Sequence, residues 1–513
     1  MVRQPPWQEV FKMPSENLLI ITNGQAIDHD CLPVISFEEF SKITKDSLAA
    51  GSRLSALTVW RPENDGPLRM IAVLSRPSSG DLLLTSCDLP DPWPSLTPDC
   101  PAAHWFEREI AEIWQIRPKD HPWLKPIRFL HSHETNFHET TTVGITDFFR
   151  ITGEESHEVA VGPVHAGVIE PGHFRFLCHG ETVYHLEISL GYQHRGIERA
   201  LNGGPGPRTI HYMETLAGDT TIGHATAYCR AVEALSGMIT SPRAEAIRAL
   251  AAELERIANH IGDLGALAGD VGFLPTMSYC GRIRGDVLNL TALLCGNRFG
   301  RGLIRPSGVA WDLDGELITK LLNGLNAVDK DATEAVELMF DTPSVLARFE
   351  GTGTISPETA IEIGLVGVAA RACGLDCDVR REFPYGMYRF AQVYPCTWST
   401  GDCFARAYVR WLEIKASLEF IRQQLFELPD GFIAHDITPM KERMLTVSMV
   451  EGWRGEICHV AATDDKGHFL FYKVVDPSFY NWFGLALALR NQQISDFPLC
   501  NKSFNLSYCG HDL

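Results

Sequence analysis

SPRAEAIRALAAELERIANHIGDLGALAGDVGF, residues 241–273, is the segment that most strongly indicates the fold. Ser241 and Pro242 supply an N-cap hydroxyl and a proline at the first helical position. Apolar residues then repeat at alternating steps of three and four: Ile247, Leu250, Leu254, Ile257, Ile261 and Leu264. The spacing predicts one long amphipathic helix whose apolar stripe requires a partner helix. The polar side is expected to hold Glu253, Glu255 and His260, although a buried acid on this helix would suit a proton path.

The segments around this helix extend the same unit over residues 159–513. Two strand-like pieces, 159–167 and 173–189, alternate between apolar and polar residues. Further helical patterns lie near residues 224–238, 315–328, 356–372 and 402–427, and a strand-like region covers 455–475. These patterns predict a mainly α-helical domain with a small β-sheet.

The first part of the chain has a different pattern, in which strand-like runs at 18–22, 54–60 and 70–74 alternate with turns rich in Pro, Gly and Ser. In HWFEREIAEIW, residues 104–114, the apolar residues repeat at three and four, and most charged residues lie off that face. A small α/β domain is therefore predicted over residues 1–130. The polar stretch 131–158 is predicted to be a linker. The whole chain is expected to have an α+β fold.

The composition disfavours several classes of protein. The chain of 513 residues has 45 Lys and Arg against 64 Asp and Glu, and the net charge of −19 opposes binding to nucleic acid or anionic lipid. No run approaches the roughly 18 consecutive apolar residues that span a bilayer. Residues 1–17 lack the basic and apolar pattern of a secretion signal, so a cytoplasmic location is the default expectation.

None of the 14 cysteines is spaced as CxxC. Structural zinc sites and iron–sulfur clusters commonly use thiolates about two residues apart, because a tight turn aims both sulfurs at one metal. Without a secretory context a disulfide framework is not expected either. Most of the cysteines are therefore predicted to be small buried hydrophobic residues.

PAAHWFEREIAEIWQIRPKDHPWLKPIRF, residues 101–129, resembles the signature of the C subunit of respiratory complex I. The second unit resembles the complex I D subunit and the large subunit of group 4, energy-converting nickel–iron hydrogenases. The order of the two units resembles a fused C and D polypeptide, as in the large subunits of formate hydrogenlyase and hydrogenase-4. The resemblance of the second unit is carried by GPVHAGVIEPGHFRF (162–176), LGYQHRGIE (190–198), HATAYCRAVEAL (224–235), residues 241–273, RFGRGLIRPSGV (298–309), CGLDCDVRREFPYGMY (373–388), RGEI (454–457) and DPSFYNW (476–482).

The resemblance places the nickel–iron ligands at four positions of this chain, and none of them holds a cysteine. In metal-binding members two CxxC pairs supply the thiolates, one before the HATAY-like helix and one close to the C-terminus. Here METLAGDTTIGH puts Ala217 and Thr220 in the first pair, and SFNLSYCG puts Ser507 and Gly510 in the second. A soft dinuclear metal site needs thiolate donors. No nickel–iron binding is expected, and the complex I D subunit is similar to this chain in lacking these cysteines.

The resemblance also implies two candidate catalytic residues. Glu214 stands three residues before Ala217, where hydrogenases place a glutamate that passes protons to the metal. A surface or helix-capping acid is the alternative. His165, in GPVHAG, matches a complex I loop histidine that reaches toward the quinone, and it is also a candidate for cofactor binding. A turn residue bonded to the backbone is its alternative, and Gly218 stands where complex I has the tyrosine that contacts quinone, which argues against quinone binding.

Asp219 and His224 are further candidates for a quinone-like pocket. Asp219 neighbours the former metal loop, with a solvated turn aspartate as the alternative. His224 shares a helical face with Tyr228, as a buried structural histidine also would. Asp378 and Arg380, in CDVRR, match a DVR element that both families place near the cavity. They are candidate catalytic residues, and an ion pair that holds a loop is the equal alternative.

These resemblances imply a subunit of a complex-I-like, membrane-associated oxidoreductase with no directly bound cofactor. Its expected partners are an iron–sulfur small subunit with a [4Fe-4S] cluster and antiporter-like membrane subunits, which would hold it on the inner face of the cell membrane. The assembly would couple electron transport, with a quinone as one acceptor, to ion or proton translocation. No GxGxxG loop occurs in a strand-to-helix context, so NAD would bind another subunit. A structural coupling subunit without redox chemistry is the alternative, and the missing ligands disfavour an active hydrogenase.

Overall fold

The computed structural model describes residues 17–63, 66–130 and 142–513. The strands in these ranges are β1 Leu19–Thr22, β2 Ala26–Asp28, β3 Val34–Ile35, β4 Arg53–Trp60, β5 Arg69–Arg76, β6 Asp81–Asp88, β7 Ser156–Val161, β8 His173–His179, β9 Thr182–Ser189, β10 Ile304–Arg305, β11 Gly308–Val309, β12 Met444–Glu451, β13 Glu456–Thr463 and β14 Phe469–Val475. The helices are α1 Phe37–Ala49, α2 His104–Trp114, α3 Ile197–Leu201, α4 Thr209–Met213, α5 Thr221–Ser236, α6 Pro242–Asp270, α7 Leu274–Cys295, α8 Gly315–Phe340, α9 Pro343–Phe349, α10 Pro357–Glu362, α11 Gly367–Arg371, α12 Val379–Glu382, α13 Cys403–Phe426, α14 Pro477–Ala488, α15 Phe497–Phe504 and α16 Tyr508–Asp512. The predicted α+β class is confirmed.

The first unit is built on a mixed sheet of five strands. β4, β5 and β6 pair antiparallel in sequence order, β1 is antiparallel to β6, and the short β3 is parallel to β6. The interiors of β4, β5 and β6 are buried along their whole length, because α1 and α2 cover the sheet. The predicted strands at 18–22, 54–60 and 70–74 are confirmed as β1, β4 and β5.

The charged residues of α2 are buried together with its apolar stripe. Glu107 accepts hydrogen bonds from the backbone N–H groups of Leu96 and Thr97, at 2.8 and 3.1 Å. Arg108 donates to the carbonyl oxygens of Lys125 and Pro126. Charged groups are tolerated in a protein interior when each has a hydrogen-bonding partner. The periodicity of the sequence shows the apolar face of this helix but not these distant partners.

The second unit contains two antiparallel sheets of more than two strands. One has the order β7-β8-β9, and the other has the order β14-β13-β12-β2. β7 begins at Ser156, so the predicted linker 131–158 ends earlier than expected, and its residues 131–141 lie outside the described residues. β2 belongs to the first unit, and it pairs with β12 across the predicted boundary between the domains.

The predicted long helix is confirmed as α6, and it forms the centre of the helical layer with α7 and α13 packed along it. Ser241 caps α6 by accepting a hydrogen bond from the Ala244 N–H at 3.1 Å. A Cβ at Gly265 would lie 2.7 Å from the Cβ of Cys280, so the glycine permits the close approach of α7. α7 was not among the helices predicted from the sequence. The predicted pattern near 356–372 is divided into the two short helices α10 and α11.

The prediction that Glu253 and His260 lie on a polar side of α6 is wrong, since both are buried. The Glu253 carboxylate accepts hydrogen bonds from Ser417 and Tyr388, each at 2.6 Å. His260 Nε2 lies 2.8 Å from the Glu413 carboxylate on α13. These partners come from distant segments, so the polar residues of α6 are satisfied inside the protein instead of by solvent.

Several of these residues belong to one buried network, here called the arginine–carboxylate cluster. In it Arg380 contacts Asp378 and Glu253, and Arg371 contacts Glu413 and Glu451 at 2.7 Å each. Every member is buried, and the network joins α6, α11, α12, α13 and β12. Its members are Glu253, Arg256, Arg371, Asp378, Arg380, Glu413 and Glu451.

Ion pairs also join the first unit to the second. Lys473 Nζ on β14 lies 2.6 Å from the Glu109 carboxylate on α2, and both side chains are buried. Arg53 on β4 pairs with Glu382 and Glu456, at 2.8 Å each. All 14 cysteines are free, and 12 of them are buried, which confirms their prediction as buried residues. Among the described helices, none combines the length and the apolar composition that a membrane crossing requires.

Candidate functional site

Two short turns, residues 217–220 and residues 507–510, lie side by side and are here called the paired turns. In the first, the Thr220 N–H donates to the Ala217 carbonyl at 2.9 Å, immediately before α5. In the second, Ser507 caps α16, and its Oγ accepts from the Gly510 N–H at 2.9 Å. The fold therefore brings together the four positions at which the sequence predicts that metal ligands have been replaced.

Two arginines hold the paired turns together. Arg195 Nη2 donates to the carbonyl of Leu216 at 2.8 Å and lies 3.5 Å from the carbonyl of Cys509. Arg454 donates to both carboxylate oxygens of Asp219, at 2.6 and 2.7 Å, and to the carbonyl of Asn505. Each guanidinium thus contacts both the segment that precedes α5 and the C-terminal segment 505–510.

Asp219, a predicted pocket residue, is half-buried and ion-paired. Burial acts to raise the pKa of Asp219, but the charge and hydrogen bonds of Arg454 outweigh it and hold the pKa below its ordinary value. The indole N–H of Trp453 donates to the Thr220 hydroxyl at 3.1 Å and thereby fixes the same turn. The role of Asp219 in binding a quinone-like ligand stays a prediction.

A buried carboxylate lies directly behind the second turn. A Cβ built on Gly510 would lie 2.7 Å from Cγ of Asp476 and 2.9 Å from each of its oxygens. A cysteine at position 510 would therefore collide with Asp476. The four positions offer a methyl group, two hydroxyls and a hydrogen, and this set does not fit a nickel–iron site, which requires thiolate donors. Among the described residues, the one group with metal-binding geometry is Asp28, His29 and Asp30 on the first unit.

His224 connects Asp476 to a second histidine. Its Nε2 lies 2.9 Å from Oδ2 of Asp476, and its Nδ1 lies 3.2 Å from Nε2 of His459. The Nδ1 of His459 in turn lies 2.8 Å from the hydroxyl of Tyr472, and all four side chains are buried. Burial lowers the pKa of His459 well below its ordinary value, and the neighbouring His224 lowers it further. Burial acts to raise the pKa of Asp476, but the hydrogen bond from His224 holds it below its usual range.

Of these four residues, only His224 was predicted from the sequence, whereas Asp476, His459 and Tyr472 were missed. Asp476 lies in the segment DPSFYNW, and an Asp-Pro step followed by an apolar pattern signals an N-cap, which is the second role of this residue. His459 and Tyr472 lie on the paired strands β13 and β14. No signal in the sequence indicates that these strands would face His224.

Glu214 is buried at the C-terminal end of α4, so it is not a surface acid. Its Oε1 accepts from the Gly302 N–H at 2.6 Å, and its Oε2 lies 3.1 Å from Nδ1 of the exposed His211. Its backbone carbonyl accepts from the hydroxyl of Thr221, the first residue of α5. Glu214 therefore lies next to the first turn and close to the surface, and its catalytic role stays a prediction.

His165 lies in the loop between β7 and β8, where its Nε2 lies 2.8 Å from the carbonyl of Gly172. This contact corresponds to the alternative of a turn residue bonded to the backbone. A Cβ on Gly172 would lie 2.6 Å from the ring of Tyr508, so the base of this loop adjoins the second turn. The tip of the loop exposes Val164 and Val168, which are 74% and 85% accessible. The roles of His165 in catalysis and cofactor binding stay predictions.

Asp378 and Arg380 lie in the arginine–carboxylate cluster. Burial acts to raise the pKa of Asp378, but Arg380 lowers it to about 2. The described contacts of Arg380 run to Asp378 and Glu253 and not to the paired turns. These contacts correspond to the alternative of an ion pair that holds a segment, and the catalytic role of both residues stays a prediction.

Glu255 on α6 lies behind the first turn. Its carboxylate accepts hydrogen bonds from the backbone N–H groups of Ile222 and Gly223, at 2.7 and 3.2 Å, at the N-terminus of α5. Burial raises the pKa of Glu255 to about 8, against the lowering effect of these two donors, and the neighbouring charge of Asp219 adds to the increase. A carboxyl group that exchanges a proton near neutral pH therefore adjoins the paired turns.

Comparison with known proteins finds matches to both units. The family model of the respiratory-chain NADH dehydrogenase 49 Kd subunit matches residues 270–446, and that of the 30 Kd subunit matches residues 36–138. The carbon monoxide-induced hydrogenase of Rhodospirillum rubrum is 30% identical over 353 residues, which are 68% of this chain and 97% of the relative. Formate hydrogenlyase subunit 5 of Escherichia coli is 27% identical over 433 residues, which are 81% of this chain and 76% of the relative.

The NADH-quinone oxidoreductase D subunit of Thermus thermophilus is 31% identical over 364 residues, which are 66% of this chain and 89% of the relative. The relatives thus include named hydrogenases and a named component of a quinone oxidoreductase, while the two family models match a 30 Kd and a 49 Kd unit in that order. The chain belongs to the family of group 4 hydrogenase large subunits and fused complex I C and D subunits.

Proposed function

We propose that this chain is a subunit of a complex-I-like, membrane-associated oxidoreductase and that it has no nickel–iron site of its own. In this assembly electrons would reach an acceptor near the paired turns, and their transfer would be coupled to ion translocation by partner subunits. Membership of the family supports the general role, because relatives are named as subunits of hydrogenase and quinone oxidoreductase assemblies.

The observation that carries the proposal is the chemistry of the paired turns. Ala217, Thr220, Ser507 and Gly510 supply no thiolate, and the Asp476 carboxylate lies against Gly510. The same region holds groups suited to moving protons instead of metal ligands, namely the His224–Asp476 pair and Glu255. Proton handling beside an electron acceptor is the chemistry that quinone-type reduction requires.

The proposed partners are an iron–sulfur small subunit that carries a [4Fe-4S] cluster and antiporter-like membrane subunits. These partners would place the chain on the inner face of the cell membrane. The loop after β7 exposes Val164, Val168 and Ile169 together. This cluster supports a docked state, because contiguous exposed apolar surface commonly marks a protein interaction site.

The test is to isolate the intact assembly from membranes through an affinity tag on this chain, list its subunits by mass spectrometry and measure nickel by elemental analysis. We expect iron from the partner's cluster, no nickel above background, and reduction of a quinone analogue without hydrogen evolution. An active nickel–iron hydrogenase purified in parallel is the control. Nickel in stoichiometric amount, or a chain that purifies without partners, would contradict the proposal.

A second candidate is a structural coupling subunit without redox chemistry, and one observation favours it. Arg454 and Asp219 form an ion pair beside the paired turns, and Asp476 lies against Gly510, so polar side chains occupy space that a ligand would need. The two candidates differ in one measurement. If the assembly reduces no acceptor although all its subunits are present, the structural role is favoured.

A further inference from the structure

A cavity of about 410 Å³ lies near the C-terminal end of α5, about 15 Å along this helix from the paired turns. The first unit contributes Gly24 of the turn between β1 and β2, α5 contributes Arg230 and Ala234, and α6 contributes Glu245. Residues of the segment 386–390 form another wall. The volume lies in the range of pockets that bind small molecules.

Arg230 is buried in the wall of this cavity without a hydrogen bond to any described residue. Its side chain is 10% exposed, and the nearest carboxylate oxygen, on Glu245, lies 3.5 Å away. Its Nε is enclosed and has no hydrogen-bonding partner. The neighbouring Arg248, by contrast, donates to both oxygens of Glu233 and to two backbone carbonyls. Because buried charged groups normally have hydrogen-bonding partners, the position of Arg230 indicates a site for a further group.

The guanidinium of Arg230 is held in place from two sides. Its Cζ lies 5.2 Å from the centre of the buried ring of Tyr385. A Cβ on Gly24 would lie 3.3 Å from its Nη2, so the first unit packs closely against it. The contact with an aromatic face does not use the N–H donors at the edge of a guanidinium. Those donors match the spacing of two oxygens of a carboxylate or a phosphate.

The charges around the cavity favour an anion, although the whole chain carries a net charge of −19. Glu233 is paired with Arg248 at 2.6 Å, and Glu245 lies between Arg230 and Arg248 at 3.5 and 3.6 Å. Arg389 adds a third guanidinium at the exposed rim, so three cations surround two carboxylates. Burial lowers the pKa of Arg230, although the charge of Glu245 acts to raise it. An anionic ligand would supply the charge that Arg230 lacks.

Apolar side chains form much of the remaining wall. Met238 and Met387 are half-buried, whereas Ile239 and Phe390 are each 84% exposed at the mouth. The hydroxyl of Thr240, which also lines the cavity, is enclosed and has no hydrogen-bonding partner. Ligand pockets commonly combine such apolar walls with a small number of polar groups that orient the ligand.

We propose that this cavity binds an organic anion in which a carboxylate or phosphate group is attached to an apolar body. The anionic group pairs with Arg230, and the apolar body lies against Met238, Met387 and Phe390. A membrane lipid acid and a soluble aromatic acid share this chemistry. The bound ligand connects the turn after β1 to α5, away from the paired turns, so this site goes beyond the proposed function and does not depend on it.

The first test is isothermal titration calorimetry of the full chain with decanoate and with decylamine, which share an alkyl chain and carry opposite charges at neutral pH. We expect one decanoate per chain and an affinity at least about tenfold higher than that of decylamine. Equal affinities, tighter binding of decylamine or no binding of decanoate and benzoate would overturn the proposal. Tighter binding of decanoate than of benzoate indicates a lipid acid, and the reverse order indicates a soluble aromatic acid.

The second test uses two variants that change the cavity in different ways. Arg230→Gln removes the cation and should lower the affinity for decanoate by about tenfold or more. Ala234→Leu keeps Arg230 but fills space one helical turn further along α5, and it should lower the affinity as well. Arg282→Gln, at an arginine of α7 that is 48% exposed, is the matched control and should bind decanoate as the wild type does.

Circular dichroism shows whether each variant is folded. Wild-type affinity in folded Arg230→Gln or in folded Ala234→Leu would overturn the proposal. If Arg230→Gln does not fold, Ala234→Leu alone decides the result, because a leucine at this partly exposed position leaves every charged group of the site in place. Failure of the proposed function would appear separately, as an isolated assembly that reduces no acceptor.

Discussion

Asp476 is the residue on which the geometry of the paired turns depends. Its carboxylate accepts from His224 and from the Ser478 N–H at 2.8 Å, so it is held from two sides and cannot turn away freely. Gly510 approaches this carboxylate so closely that even a methyl group would overlap it. The absence of a side chain at position 510 is therefore a packing requirement of this chain.

We predict that Gly510→Ala destabilises the protein by about 1–3 kcal/mol, because overpacking forces Asp476 out of its hydrogen bonds. Gly281→Ala is the matched control: Gly281 lies in α7, and a Cβ there meets nothing within 4 Å. That substitution should be neutral or stabilising by up to about 1 kcal/mol, since alanine favours a helix. Urea unfolding of both variants measures the difference. Equal free energies of unfolding for the two variants would show that Asp476 can move away from position 510 without a loss of stability.

The long helix α6 shows how one element serves both packing and electrostatics. Its apolar residues face α7 and α13, while Glu253 and Arg256 enter the arginine–carboxylate cluster with Arg380 and Glu413. Buried charges of this kind are costly to remove from water, and they remain tolerable because each has several partners of opposite sign. The cluster thereby fixes the position of α6 relative to α12 and α13.

Removing an arginine from the arginine–carboxylate cluster should lower the free energy of unfolding far more than removing one from an exposed ion pair. We predict that Arg380→Met destabilises the protein by about 3–5 kcal/mol, because Asp378 and Glu253, both buried, lose the guanidinium that contacts each of them. Arg282→Met, at an arginine that is 48% exposed and paired with Asp286, should cost less than about 1 kcal/mol. Chemical denaturation measures the free energy of unfolding of the two variants. A small loss of stability in both variants would mean that water reaches the arginine–carboxylate cluster.

On the scale of the whole molecule, the two units share a sheet, buried ion pairs and an aromatic contact. β2 pairs with β12, Lys473 pairs with Glu109, and the ring of Phe106 lies 5.0 Å from that of Phe479. Separate domains commonly unfold in separate steps, whereas units with a buried interface unfold together.

We therefore predict a single thermal transition for the full chain, with a calorimetric enthalpy equal to the van't Hoff enthalpy. Lys473→Met should lower the midpoint of that one transition, since it removes a cation from Glu109 and Glu198. Lys320→Met, at an exposed lysine of α8, is the control and should leave the midpoint nearly unchanged. Differential scanning calorimetry is the measurement, and two resolved transitions in the wild type would contradict the prediction.

The stability of the molecule should also depend on pH through Glu255. Its pKa rises from an ordinary value of 4.5 to about 8 in the folded state. The folded protein therefore binds this proton more tightly than the unfolded chain, so the contribution to stability is complete below about pH 4.5 and is lost as the pH rises to about 8. Glu253 has the opposite sign, because its pKa falls to about 2, and its contribution is lost as the pH falls toward that value.

Glu255→Gln should remove the alkaline part of this dependence, because glutamine is neutral at every pH and its oxygen can accept the same two backbone hydrogen bonds. The free energies of unfolding of variant and wild type should be similar at about pH 4.5, and the variant should be the more stable at about pH 8. Denaturation measured across this range provides the check. Parallel stability curves would show that Glu255 does not carry a raised pKa.

The sequence alone determined the elements that depend on local periodicity. The stripe of α6, its Ser241 cap and the strands β1, β4 and β5 follow from side-chain spacing and cap chemistry, which act over a few residues. The sequence also determined that positions 217, 220, 507 and 510 hold no cysteine, because whether a side chain can supply a thiolate depends on that residue alone.

Only the tertiary structure decided which polar groups are buried and what they contact. Glu253 and His260 were expected to face solvent, but their partners Ser417 and Glu413 lie more than 150 positions away on α13. For the same reason, His224 contacts His459 on β13 and Asp476 immediately before α14, and His459 contacts Tyr472 on β14. A buried charge or histidine is stable only when distant segments supply its partner, and no local pattern encodes where those segments meet.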